Sequence, residues 1–219
     1  LDWVYEEEFS FAKGFFWSPE GDYIAYYKFD ESKVAEFSMD MYGTGLYPTQ
    51  DVFKYPKAGE DNSEVEVWIY QLNAKKNIQV LKDADYEYIP RIKWTKQNES
   101  LCVFSMNRLQ NHLILNKVNA TTGESKVWYE EKDAAYVEIS DDIRFLEDGS
   151  FIWTSDMSGY NHIYLIDANG KVKRQITKGE WDVTSFYGIN EEAGKLYFQT
   201  AEVHPTERNV YSISVKGKG

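Results

Sequence analysis

The sequence predicts an all-β chain folded as an arc of a β-propeller, and three observations carry that expectation. Seventeen Tyr, twelve Phe and seven Trp supply flat side chains that suit a pleated, half-buried surface. Short runs that are period-two or wholly apolar recur along the chain, bounded by Gly, Pro, Asn or Asp, while helical periodicity is scarce. One phrase also returns: a strand ending in an aromatic, a polar turn, then an apolar strand.

The phrase can be followed in order. Phe16-Trp17-Ser18-Pro19-Glu20-Gly21-Asp22 leads into Tyr23–Tyr27, and Ile92–Glu99 leads into Ser100–Ser105. Ile143–Gly149 leads into Ser150–Thr154, and Tyr187–Gly194 leads into Lys195–Gln199. From Trp17 the steps are 77 residues to Trp94, 51 to Phe145 and 44 to Ile189. A second strand follows each later unit, at Asn111–Asn119, Asn161–Asp167 and Arg208–Ser214, and a third follows at Ser125–Tyr129 and Val172–Thr177. Four strands in about 45 residues is the arithmetic of a propeller blade. About four four-stranded blades are expected, the last one incomplete because no outer strand follows Ser214. The competing architecture is a β-sandwich with irregular strand lengths; the recurring phrase favours the propeller.

The first step is about 30 residues longer than the others, and the excess lies at about residues 31–64. This insertion carries Phe37, Met39, Met41, Tyr42, Tyr47 and Phe53 among turn-forming Gly and Pro. A bare surface loop would not need them. A projecting element that packs on its own blade or on a partner would.

Composition narrows the function. An apolar share of 42% supports a packed core. No run of about 18 apolar residues offers a membrane-spanning helix. The net charge of −12 argues against nucleic acid as a partner. Cys102 is alone, which excludes an internal disulfide, and its apolar strand marks it as core. His112, His162 and His204 lie one per repeat in no metal-ligand spacing and read as surface or strand-end residues. Asp141-Asp142 lacks a calcium-loop pattern. No G-x-S-x-G occurs, so the chain shows no serine-hydrolase nucleophile, and nothing in it asks for a metal or other cofactor. Both ends read as cuts through a longer protein.

One cluster has chemical promise. Glu6, Glu7 and Glu8 stand between Tyr5 and Phe9. Acidic triplets are usually solvated faces. Two carboxylates brought together beside aromatic rings would instead hold an ammonium by charge-assisted hydrogen bonds. That requires an irregular stretch or a short helical turn, because a regular strand sends neighbouring side chains to opposite faces.

Here the residues meet a family. Asp2-Trp3-Val4-Tyr5-Glu6-Glu7-Glu8 closely resembles the double-glutamate motif of the dipeptidyl peptidase IV family, in the prolyl oligopeptidase clan. Phe16–Tyr26 is similar to the blade strand that follows that motif, and Tyr55-Pro56-Lys57-Ala58-Gly59-Glu60-Asp61-Asn62 to the family's Tyr-Pro-Lys-Ala-Gly-x-x-Asn signature. Gly159–Tyr164, Ile176–Val183 and Arg208–Tyr211 resemble later blade motifs. Ser63 stands where the family usually has Pro, and Tyr136–Asp142 gives no match to further substrate contacts.

The resemblance, of a bacterial type, implies that residues 1–219 are part of an eight-bladed N-terminal propeller. It implies an α/β-hydrolase domain, absent from this chain, that holds the catalytic triad. The implied activity is a serine exopeptidase that releases Xaa-Pro or Xaa-Ala dipeptides from peptides with a free N-terminus. Glu7 and Glu8 would grip the substrate's α-amine, with Glu6 outside the pair. The 31–64 insertion, chiefly Glu36–Lys54, would form an arm used in homodimerisation. The protein would be exported, periplasmic or at the cell surface, and this chain alone would be inactive. The alternative is a non-enzymatic propeller serving as a protein-binding scaffold. Sibling peptidases of the clan that need not bind a free amine fit the double glutamate less well.

Overall fold

The computed structural model describes residues 2–82 and 84–217. Among these residues one short helix, α1 (Trp3–Phe9), precedes seventeen strands. The first four-stranded sheet takes β1 (Phe15–Trp17), β2 (Tyr23–Asp30), β5 (Glu64–Gln71) and β6 (Lys76–Val80) in the order β1-β2-β5-β6. Between β2 and β5 the chain leaves to form a hairpin of β3 (Glu36–Met41) and β4 (Thr49–Lys54), paired from Glu36↔Lys54 to Met41↔Thr49. The next sheet has the order β10-β9-β8-β7, from β7 (Tyr88–Trp94), β8 (Ser100–Met106), β9 (His112–Asn119) and β10 (Ser125–Lys132). A third runs β11-β12-β13-β14, from β11 (Arg144–Phe145), β12 (Phe151–Ser155), β13 (His162–Ile166) and β14 (Val172–Gln175). The last holds β15 (Val183–Asn190), β16 (Lys195–Thr200) and β17 (Asn209–Ser214), and no fourth strand joins it among the described residues. Each is an antiparallel meander, the unit of a propeller blade, with the final one short by its outer strand.

The recurring phrase is a recurring turn. Ser18 N–H donates to the Tyr23 carbonyl, Thr95 N–H to that of Ser100 and Leu146 N–H to that of Ser150, each at 2.9 Å. Gly21 and Gly149 sit in these turns at φ 83° and 80°, a conformation that costs a side chain ~1–2 kcal/mol.

Two compact units divide the chain, one of residues up to Arg108 with Leu115–Lys126, the other of Leu109–Ile114 with Val127 onward. In the first, β5 alternates, with Val65, Val67, Ile69 and Gln71 buried, whereas β8 is buried at every residue. Cys102 lies in β8 fully buried, and burial pushes its thiol pKa well up, so it behaves as core.

In the second unit β12 and β13 are buried throughout. His162 opens β13, at a strand end, but it is buried and not superficial. Its ring nitrogens lie 3.1 Å from Thr177 Oγ1 and 3.1 Å from the Gly179 carbonyl, and the Trp181 ring packs edge-on against it. Both polar atoms are thus satisfied away from water. Trp128 on β10 stacks on Phe145, and its Nε1–H donates to the Ala168 carbonyl. The turn beneath it needs Gly170, at φ 81°, because a Cβ there would fall 1.5 Å from the Trp128 carbonyl oxygen.

Glu131 is a buried carboxylate in the same unit. It accepts from Trp153 Nε1 at 2.8 Å, from Tyr129 Oη at 3.2 Å and from the Ser155 hydroxyl. Burial raises its pKa; these donors oppose the rise and the Asp156 charge adds to it. Among the described residues no helix is long and apolar enough to cross a membrane.

Two outcomes follow. Gly170→Ala should lose at least ~2 kcal/mol of unfolding free energy, read from the urea midpoint, because strain and overlap act together. The Glu131 carboxyl binds its proton more tightly folded than unfolded. Its contribution to stability is therefore present at low pH and is lost as pH rises from the ordinary carboxylate range through the raised value. Urea titrations at stepped pH should show Glu131→Gln gaining on wild type as pH rises; parallel curves would contradict this.

Candidate functional site

Helix α1 is built by a cap at each end and one buried face. Asp2 is the N-cap: it is buried, and its Oδ1 accepts from Tyr5 N–H at 2.9 Å while its carbonyl accepts from Glu6 N–H at 3.0 Å. Ser10 ends the helix in the left-handed region at φ 50°, and the Tyr5 carbonyl accepts from the backbone of Ser10 and Phe11. Val4, Tyr5 and Phe9 are buried, and Glu6, Glu7 and Glu8 are exposed. At about 100° per residue, a single turn places three consecutive residues across the solvent side once Tyr5 and Phe9 face inward. The short helical turn that converging carboxylates require is therefore present. Glu7 and Glu8 are consecutive on it, about 100° apart around the axis, and no described cation forms an ion pair with either.

The inward face is aromatic. The Tyr5 ring meets Phe9, Phe11, Phe29 and Tyr88 edge-on, with centroids 5.1–6.4 Å apart. Such edge-to-face pairs add ~0.5–1.5 kcal/mol each beyond the area they bury. The Tyr5 hydroxyl accepts from the backbone N–H of Ile89 at 2.8 Å. That N–H is free of the sheet because β7 and β8 slip there: Tyr88 pairs with Met106 and Arg91 with Phe104, so two residues face one. The outer end of α1 is also held, since Trp3 packs on Tyr55 at 4.3 Å, and Tyr55 packs on Phe37 and Phe53 of the β3–β4 hairpin.

Beside the helix runs a polar chain. Asn62 Nδ2 donates to Glu87 Oε1 at 2.6 Å and to the Tyr88 hydroxyl at 3.0 Å. Arg108 donates to Glu87 at 3.1 Å and to the Glu60 carbonyl at 2.6 Å. Burial raises the Tyr88 hydroxyl pKa; the Asn62 bond and the Arg108 charge oppose this, and the Glu87 and Glu8 carboxylates add to it. The negative end of Glu8 is therefore felt at Tyr88. Asn62, Glu87 and Arg108 also line a cavity of about 470 Å³ with Lys33, Glu64 and Tyr86, and no residue of α1 lines it.

A second cavity of about 470 Å³, in the other unit, is lined by Glu131, Glu138, Asp141, Asp142, Asp156 and Asp182 and by no Lys or Arg. The segment 136–142, where the sequence offered no contact, reaches this cavity. No cluster of three metal-ligating side chains occurs among the described residues. The sequence singles out Glu7 and Glu8 as candidates but not what holds the helix that carries them. Asp2, three residues before Tyr5, is a readable N-cap signal, and Pro90, which has no N–H, marks the break in the β7 ladder.

With this geometry in view, the chain can be set beside known proteins. The family model "Dipeptidyl peptidase IV (DPP IV) N-terminal region" matches residues 1–219. Dipeptidyl aminopeptidase B of Saccharomyces cerevisiae is 29% identical over 98% of this chain and 28% of its own length. Dipeptidyl peptidase 4 of Arthroderma otae is 29% identical over 99% of this chain and 30% of its own length. The crystal structure of Porphyromonas gingivalis dipeptidyl peptidase 4 superposes with a TM-score of 0.92 at 38% identity, covering 100% of this chain and 31% of that one. A putative dipeptidyl aminopeptidase IV from Bacteroides ovatus gives 0.79 at 32% identity, over 96% of this chain and 33% of that one. The chain thus spans about three tenths of the relatives it matches. It belongs to the dipeptidyl peptidase IV N-terminal region family.

Proposed function

We propose that residues 1–219 form part of the N-terminal propeller of a serine exopeptidase, and that they recognise the free α-amine of a peptide and gate its access to a hydrolase domain. The peptidase names of the relatives support the reaction class. The observation that carries the site is the pair Glu7 and Glu8, exposed and without a described counter-ion on a helix whose other face is fixed in an aromatic cluster.

The chemistry follows from charge and length. A peptide α-amine has a pKa of ~7.7–8.0, and a pair of carboxylates favours its charged form. Each charge-assisted hydrogen bond contributes ~1.5–3 kcal/mol. Two extended residues span ~7 Å, so an amine held at Glu7 and Glu8 sets how much chain reaches a nucleophile, and a dipeptide is released. The hydrolase domain supplies the nucleophile, base and orienting acid. Products with Pro or Ala in second place, and export of a bacterial protein, belong to the same reading.

The β3–β4 hairpin is the proposed dimer arm. Its tip exposes Tyr42 at 82%, Leu46 at 97% and Tyr47 at 86%, more apolar surface than a solvated loop needs.

In the full-length peptidase, Glu7→Gln and Glu8→Gln should each lower kcat/KM on a Gly-Pro chromogenic amide about 10- to 150-fold, the kinetic equivalent of one lost charge-assisted contact. Unchanged kinetics in both variants would remove the amine assignment. The wild-type kcat/KM should also fall as pH rises through the substrate's amine pKa of ~7.7–8.0, where the ammonium is lost. Residues 1–219 alone should release no chromophore; turnover by that chain would overturn the division of labour.

A further inference from the structure

We infer that Tyr5 is a positioning residue for amine recognition: its hydroxyl, by taking the Ile89 N–H at the bulge in β7, sets where Glu7 and Glu8 stand. The inference rests on the amine-binding reading of those two glutamates and extends it to a residue that touches no substrate. Four observations support it. Tyr5 is 1% exposed, so its hydroxyl cannot turn to water for a substitute partner. Ile89 is 0% exposed, and the two-against-one register at Ile89–Pro90 takes its N–H out of the ladder. The 2.8 Å bond to Tyr5 is therefore its satisfaction. Tyr5 is also the residue whose own N–H is held by the Asp2 cap and whose carbonyl receives the C-terminal cap. One residue thus joins both ends of α1 to strand β7. A seven-residue helix has too few internal hydrogen bonds to hold itself, so its orientation depends on these external ties. Glu7 and Glu8 follow Tyr5 by two and three positions, within one turn.

The ring contacts alone would keep the helix buried. A ring in a cluster of Phe and Tyr can slide, whereas the hydroxyl bond has a fixed length and direction. Bulges beside functional sites serve to aim side chains, and here the bulge offers a backbone donor from β7 that the Tyr5 hydroxyl takes.

The test uses the full-length peptidase. Tyr5→Phe removes one oxygen and keeps the ring. On the Gly-Pro chromogenic amide it should raise KM about tenfold with kcat within about twofold, since only amine anchoring is loosened. Labelling by an amine-free fluorophosphonate should proceed at the wild-type rate, because the nucleophile is untouched. Phe11→Leu, which thins the same aromatic cluster without touching the hydrogen bond, controls for stability: matched to Tyr5→Phe in melting temperature, it should leave KM within about twofold. If Tyr5→Phe cannot be recovered folded, Asp2→Ala releases the first turn of the same helix and should produce the same KM rise. A folded Tyr5→Phe with wild-type KM overturns the inference, as does an equal KM rise in Phe11→Leu, or a parallel fall in fluorophosphonate labelling. If Glu7→Gln and Glu8→Gln leave KM unchanged, the amine reading itself fails. If they raise KM and Tyr5→Phe does not, only the positioning role fails.

Discussion

The middle strands of an antiparallel meander have two faces, and in a propeller both must be kept dry. That constraint shapes this chain more than any other. At β8, β12 and β13 every residue is buried, so these strands alternate no polar side chain outward. Most polar groups there are answered by a neighbour, and the buried Ser100 hydroxyl at the start of β8 is an exception. Asn116 Nδ2 donates to Ser105 Oγ at 2.8 Å, and His162 finds Thr177 and a carbonyl. Chemistry that must meet solvent has to be mounted elsewhere, on turns, hairpins or a helix set ahead of the strands. Helix α1 and the β3–β4 hairpin stand apart from the four-stranded sheets, and the function proposed above uses them as such mounts.

The two mounts are tied to each other. Trp3 opens α1 and packs on Tyr55, which follows β4 and packs on Phe37 and Phe53. Lys54 reaches back to Glu36 at 3.3 Å and to the Val34 carbonyl at 3.0 Å, closing the base of the hairpin. The ion pair is exposed and contributes little, at most ~1 kcal/mol; the rings do most of the holding. An element that projects from a sheet has few neighbours, and aromatic side chains give the most contact per residue. The insertion is rich in them for that reason.

Strand content, turn positions and the incomplete final sheet were legible because each depends on local sequence. Ser100–Ser105 was expected as a strand and β8 is Ser100–Met106; Arg208–Ser214 was expected and β17 is Asn209–Ser214. The glutamate pair was legible as a motif, and the need for a helical turn beneath it followed from side-chain directions. What could not be read depends on contacts distant in sequence. The partner of the Tyr5 hydroxyl lies 84 residues away. The burial of His162 depends on Thr177 and Gly179, and its polar character alone suggested a more superficial place. Residues 136–142 carried no local signal at all, because what they line is assembled from β10, β12 and the turns beside them.

Carboxylates illustrate how place, not residue type, decides role. Glu131 is enclosed by Trp153, Tyr129 and Ser155, three donors that use up its oxygens. It is costly to ionise there, and three of its roughly four acceptor positions are already taken, so it ties β10 to β12 within its own unit. Glu7 and Glu8 are the opposite: solvated and without described donors. A solvated pair gains almost nothing from proximity, and the fold has no structural use for it. Yet the helix beneath is capped at both ends, its Tyr5 ring meets four aromatics, and it is pinned by a buried hydroxyl. In the amine-binding reading proposed above, this order fixes the backbone beneath the two carboxylates on folding, so that only their side-chain rotamers remain to be ordered when a cation arrives.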